Sequence, residues 1–179
     1  MHTIRVAGVA LLTVAGLALA GCAGDGSASK DTSASVSGTS RCTVDDLKVR
    51  LSPGEGAAGS TFFLVRLTNT TGLTCRSGGF GGVSLVGGGD GRQIGAPADR
   101  VEKPKLRVVT LKPGASAEAK LQLTEAANYP ATKCRPVQAQ GFRVYPPNQT
   151  KSAFVRHPAT ACRNNAVHLL RLSPYQPAG

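Results

Sequence analysis

Apolar and polar side chains alternate with a period of two along Ala117-Glu118-Ala119-Lys120-Leu121-Gln122-Leu123. On an extended chain that period puts Leu121 and Leu123 on one face, so the segment predicts a half-buried β-strand. The pattern recurs at Leu47, Val49 and Leu51, at Phe63, Val65 and Leu67, at Val83 and Leu85, and at Phe142 and Val144, with further runs near residues 106–111 and 167–172. Turn residues separate these runs: Pro53-Gly54, Thr71-Gly72, Asp90-Gly91, Lys112-Pro113-Gly114 and Pro146-Pro147-Asn148. Pro presets φ for a turn, and Gly or Asn supplies the positive φ that tight turns demand. Past the N-terminal segment, no run of about twelve residues places its apolar positions at helical spacing. Many short strands with turns between them predict an all-β fold, an immunoglobulin-like β-sandwich.

The N-terminus follows another rule. Arg5 is the only charge ahead of a mostly apolar stretch over residues 6–19, and the stretch closes on Leu19-Ala20-Gly21-Cys22. It is short of the roughly 20 residues that a membrane-spanning helix needs, so it reads as a cleaved signal peptide over residues 1–21. Leu-Ala-Gly-Cys resembles the bacterial lipobox, which implies that Cys22 is acylated and becomes the new N-terminus, anchoring the protein to the outer face of the cell membrane. In residues 23–40, fourteen of eighteen positions are Ala, Gly, Ser or Thr. Such a coil reaches about 25 Å, so residues 22–40 form the lipidated Cys and a flexible tether, and residues 41–179 form the sandwich.

With Cys22 assigned to lipid, Cys42, Cys75, Cys134 and Cys162 remain, and four exported cysteines predict two intradomain disulfides. Of the three pairings, Cys42 with Cys75 and Cys134 with Cys162 is preferred, because each bridge closes a loop of about 30 residues within one half of the domain. There is no C-x-x-C, and His157 and His168 stand at no metal-ligand spacing from the cysteines, so no metal or cofactor is expected.

Charge narrows the partners. The 179 residues carry 21 Lys and Arg against 10 Asp and Glu, a net +11 with a pI near 10.0. Residues 41–179 keep 19 of those cations and 8 of the acids, so the basic balance belongs to the folded part. The densest run is Arg100-Val101-Glu102-Lys103-Pro104-Lys105-Leu106-Arg107. Its bland reading is a solvated loop and strand edge. Its functional reading assigns Arg100, Lys103, Lys105 and Arg107 to a polyanion-binding patch, drawn to wall polymers or anionic headgroups. Aromatics make up 4% of the chain, Trp is absent, and no aromatic interleaves the run. Stacked nucleic acid is therefore not the expected partner.

Gly54-Glu55-Gly56-Ala57-Ala58-Gly59 matches G-x-G-x-x-G, but Thr61-Phe62-Phe63-Leu64-Val65 after it reads as a strand rather than a phosphate-binding helix, so a hairpin loop is expected. No G-x-S-x-G elbow accompanies His157, placed in a loop before Pro158, or His168, which alternates with Leu170 and Leu172 and is placed facing the core. Asp45 and Asp46 are adjacent at a strand entry and cannot face one substrate. Asn69-Thr70-Thr71 and Asn148-Gln149-Thr150 fit a glycosylation sequon but read as turn residues.

One ordered set of residues spans most of the chain: Cys42, Gly59-Ser60, Leu67-Thr68-Asn69-Thr70, Cys75, Gly79-Phe80, Asp90-Gly91, Leu111-Lys112-Pro113-Gly114, Cys134, Tyr145-Pro146-Pro147 and Cys162. It resembles the actinobacterial exported proteins grouped as domain of unknown function 4232, many of them lipoproteins. The resemblance implies a disulfide-linked β-sandwich and no defined activity. Where that family often has Gly-Tyr-Pro, this chain has Gly79-Phe80-Gly81. The reading favoured by the sequence is a non-catalytic envelope lipoprotein presenting a basic sandwich to an envelope polymer or protein partner. An envelope-acting enzyme with a dispersed site, or a small-ligand carrier, is the alternative.

Overall fold

A computed structural model describes residues 39–179; the leader, Cys22 and the tether up to residue 38 lie outside the described residues. Thirteen strands follow in chain order. They are β1 (Leu47–Leu51), β2 (Glu55–Ala57), β3 (Ser60–Asn69), β4 (Cys75–Gly78), β5 (Gly82–Gly87), β6 (Arg92–Ile94) and β7 (Asp99–Arg100). Then come β8 (Val108–Leu111), β9 (Ser116–Thr124), β10 (Pro136–Tyr145), β11 (Ala153–Cys162), β12 (Leu170–Leu172) and β13 (Gln176–Pro177). All five turn signals fall between strands. The helical pieces are single turns at Val44–Asp46, Ala126–Asn128 and Ala131–Cys134.

The larger sheet runs β1-β3-β9-β12-β7, with β2 paired to β3 and β13 to β9; the second runs β11-β10-β5-β6; β4 and β8 form a separate ribbon. Every strand pair is antiparallel except β12 with β7. Burial follows the alternation in the sequence: Phe63, Val65 and Leu67 of β3 and Leu121 of β9 are buried, as are Val83 and Leu85 of β5 and Phe142 and Val144 of β10. These residues from both sheets form one core, with the Phe63 and Phe142 rings edge to face at 6.1 Å. The architecture is the expected β-sandwich.

Two local devices adjust that pattern. Register slips between Ala139 and Gly141 on β10, so the inward set changes from Ala139 to Phe142 and Val144. Gly141 stands where β11 comes closest: a Cβ there would run into the Val155 carbonyl oxygen. At the other end of the chain order, β2 and β3 are joined by Ala58 and Gly59 alone, with φ of 48° and 70°. Two positive φ values are what a type I′ hairpin turn requires, so the G-x-G-x-x-G stretch is a hairpin, as its aromatic and β-branched continuation predicted.

Both preferred disulfides form, Cys42 with Cys75 and Cys134 with Cys162, across separations of 33 and 28 residues. Loops of that length contribute about 3.5 kcal/mol each on the chain-entropy model. The described residues belong to one compact unit that holds the core, both bridges and the three sheets.

Candidate basic face

The run from Arg100 to Arg107 is the connection from the sheet edge at β7 to the ribbon strand β8. Its start is fixed by the Val101 amide donating to Leu172 O at 2.9 Å, and its middle by Gln176 Nε2 donating to Lys105 O at 3.1 Å. Residues 102–107 are all exposed, including Leu106 at 60%. The structure therefore places Arg100 at the end of β7 and Lys103, Lys105 and Arg107 on the solvated loop that follows, and none of the four is in an ion pair among the described residues.

An aromatic absent from the run itself is supplied from elsewhere. The Arg100 guanidinium lies 5.2 Å from the centroid of the Phe80 ring, a cation–π contact that holds this side chain while leaving its charge uncompensated. Phe80 is one of two residues, with Gly81, at which the chain departs from the Gly-Tyr-Pro pattern. Sequence reasoning missed its role because Phe80 lies 20 positions from Arg100 along the chain and meets it only in the fold.

The two histidines are placed otherwise than expected. His157 lies within β11 rather than in a loop, half-buried, with its ring centroid 4.8 Å from Phe63 and 5.6 Å from Phe142. His168 is exposed rather than core-facing. Leu169 and Leu170 are both buried, so the alternation changes phase between them and turns Val167 inward and His168 outward. Its Nδ1 sits 2.8 Å from Asp99 Oδ1. That contact orients the imidazole, yet no hydroxyl or thiol is hydrogen-bonded to the ring among the described residues.

The adjacent acids have separate partners. Asp46 Oδ2 accepts from the Thr43 amide and hydroxyl, both at 2.8 Å, and these bonds, the amide first, hold its carboxyl below the usual range. Asp45 pairs instead with Lys151 at 3.4 Å. The sequon residue Asn69 is fully buried: its Nδ2 donates to Leu73 O and Leu111 O, and its Oδ1 accepts from the amide and hydroxyl of Thr71. It ties the β3–β4 and β8–β9 connections together and is inaccessible to modification. Asn148 is exposed in the turn after β10, at φ 58°.

A cleft of about 400 Å³ lies between the β5–β6 hairpin and the start of β10, lined by Asp90, Arg92, Gln93, Gln138, Arg163 and Asn165 among others. Its Asp90 and Arg92 are already paired at 3.1 Å, and the Arg92 amide bond to Asp90 lowers that carboxyl's pKa. Among the described residues no three His, Cys, Asp or Glu side chains gather to hold a metal ion.

No curated protein and no solved structure gives a significant match to the chain. The model of one family matches residues 42–176, from the first bridged cysteine into the start of β13, and so covers nearly all of the sandwich just described. The chain belongs to that family, the domain of unknown function DUF4232.

Proposed function

We propose that this chain is an exported lipoprotein, acylated at Cys22, whose sandwich works without catalysis as a binding module for a phosphate-rich envelope polymer. The observation that carries the reading is the segment of residues 100–107, where four exposed cations stand without acidic partners among the described residues, on a domain already carrying excess positive charge. Exposed like charges that are left uncompensated create a field that draws polyanions. The leader, the lipobox-like Leu19-Ala20-Gly21-Cys22 and the tether support placement within reach of such a polymer.

The test separates a patch from global charge. One variant replaces Arg100, Lys103, Lys105 and Arg107 by Gln; the control replaces the dispersed, exposed Lys48, Lys133, Arg156 and Arg171. Both lose four charges. Binding of residues 39–179 to an anionic wall polymer should fall several-fold further in the loop variant. Equal losses would mean that the loop is no patch, and no binding by the unmodified domain would leave a protein partner as the better reading.

A further inference from the structure

The disulfide between Cys42 and Cys75 sets two arginines side by side. Arg41 precedes one cysteine and Arg76 follows the other, and the two form a parallel β-bridge, with the Cys42 amide donating to Arg76 O at 2.9 Å and the Arg76 amide to Ser40 O at 2.8 Å. On the other side of β4, Arg76 is in register with Thr110 of β8. Register partners share a face of a sheet, so Arg41, Arg76 and Thr110 make one exposed row of two cations and a hydroxyl. Both arginines line a cleft of about 240 Å³ closed by Ser77, Gly78, Val108, Pro147 and Asn148.

Like charges directly opposite one another on a sheet are destabilising. The larger sheet contains the same arrangement, and there the repulsion is relieved from within the protein. Arg50 of β1 is in register with Arg66 of β3, and Arg66 with Glu118 of β9, whose Oε1 lies 2.6 Å from Arg66 Nε and 2.5 Å from Nη2. In the row Arg41, Arg76, Thr110 the third place holds no carboxylate, and neither arginine is in an ion pair among the described residues. Arg76 is nevertheless held in place, its Nε donating to Thr39 O at 3.1 Å. A covalent bridge thus holds two like charges on neighbouring strands with no carboxylate partner among the described residues.

We infer that the Arg41–Arg76 cleft is an anion site for a phosphate or phosphodiester group. Guanidinium forks match phosphate oxygens in pairs, and a tetrahedral phosphate can turn different oxygens toward two forks on one row. Val108, which lines the cleft, directly follows Arg107, so the basic loop leads into this site and guides the anion toward it. The inference rests on the polyanion-binding reading and refines it: the loop attracts, and the cleft holds.

The probes are inorganic phosphate, the soluble phosphodiester glycerophosphoglycerol, and vesicles of phosphatidylglycerol and phosphatidylcholine in equal parts. Each is titrated against residues 39–179. Arg41→Gln with Arg76→Gln should weaken binding about tenfold or more, and Arg76→Lys, which keeps the charge and loses the fork, should also lose most of it. Cooperative thermal unfolding at or above the wild-type midpoint checks that both variants fold. Binding of the soluble phosphodiester supports a free or polymeric source; binding of vesicles alone, lost in the same variants, supports a lipid headgroup. Wild-type affinity in either variant overturns the site while leaving the loop reading standing. Failure of the unmodified domain to bind any probe or the wall polymer at low salt overturns both.

Discussion

At the scale of single residues, Tyr175 is the buried group whose chemistry is least compensated. It is fully buried, its hydroxyl has no hydrogen-bond partner among the described residues, and desolvation pushes its pKa well above the ordinary tyrosine value. A Tyr175→Phe variant removes a desolvated hydroxyl without opening a cavity, so it should be neutral or more stable by up to about 1 kcal/mol. The pH dependence has a definite sign. Below about pH 10 both folded and unfolded states keep the phenol protonated and Tyr175 contributes no slope. Above it the unfolded chain releases the proton while the folded state retains it, so stability falls by about 1.4 kcal/mol per pH unit until the folded pKa is reached. Urea unfolding at about pH 9 and about pH 11 checks this, because the wild type should lose more stability between the two than Tyr175→Phe. Equal losses would show that the phenol is not protected.

The secondary-structure elements were legible wherever alternation kept one phase. β3 and β9 bury the residues that their period-two pattern nominates, β1 buries Leu47 and half-buries Val49 and Leu51, β5 is buried on both faces, and the turns fall at the Gly, Pro and Asn signals. The pattern does not carry its own interruptions. The phase change at Leu169 and Leu170, which turned His168 outward, leaves no mark in composition because both residues are leucine. β11 escaped notice because its burial alternates only between half-buried and exposed positions, with Pro158 in its middle. The Arg41–Arg76 row was encoded, since two arginines flank two cysteines, but only the pairing of those cysteines makes it visible. The leader proposed for residues 1–21 rests on a different kind of signal, one read by a peptidase rather than by packing. Cys22→Ser should move the protein from the membrane fraction to the soluble fraction or leave it unprocessed. A processed variant that stays membrane-bound as before would refute the anchor.

For the whole molecule, the described residues combine a disulfide-braced sandwich with a loop of unpaired cations that connects its sheet edge to the ribbon bearing Arg76. Such a scaffold holds charges in fixed positions and leaves them in water, where their attraction for a polyanion depends on ionic strength. The Debye length shrinks from about 10 Å at 0.1 M to about 3 Å at 1 M salt, so contacts between exposed charges must weaken sharply across that range. The most direct measurement is the affinity of residues 39–179 for a phosphate-bearing wall polymer as a function of salt. The account predicts measurable binding at low ionic strength that declines steadily and is largely gone by about 1 M. Binding that is absent at low salt, or that persists undiminished at high salt, would contradict it.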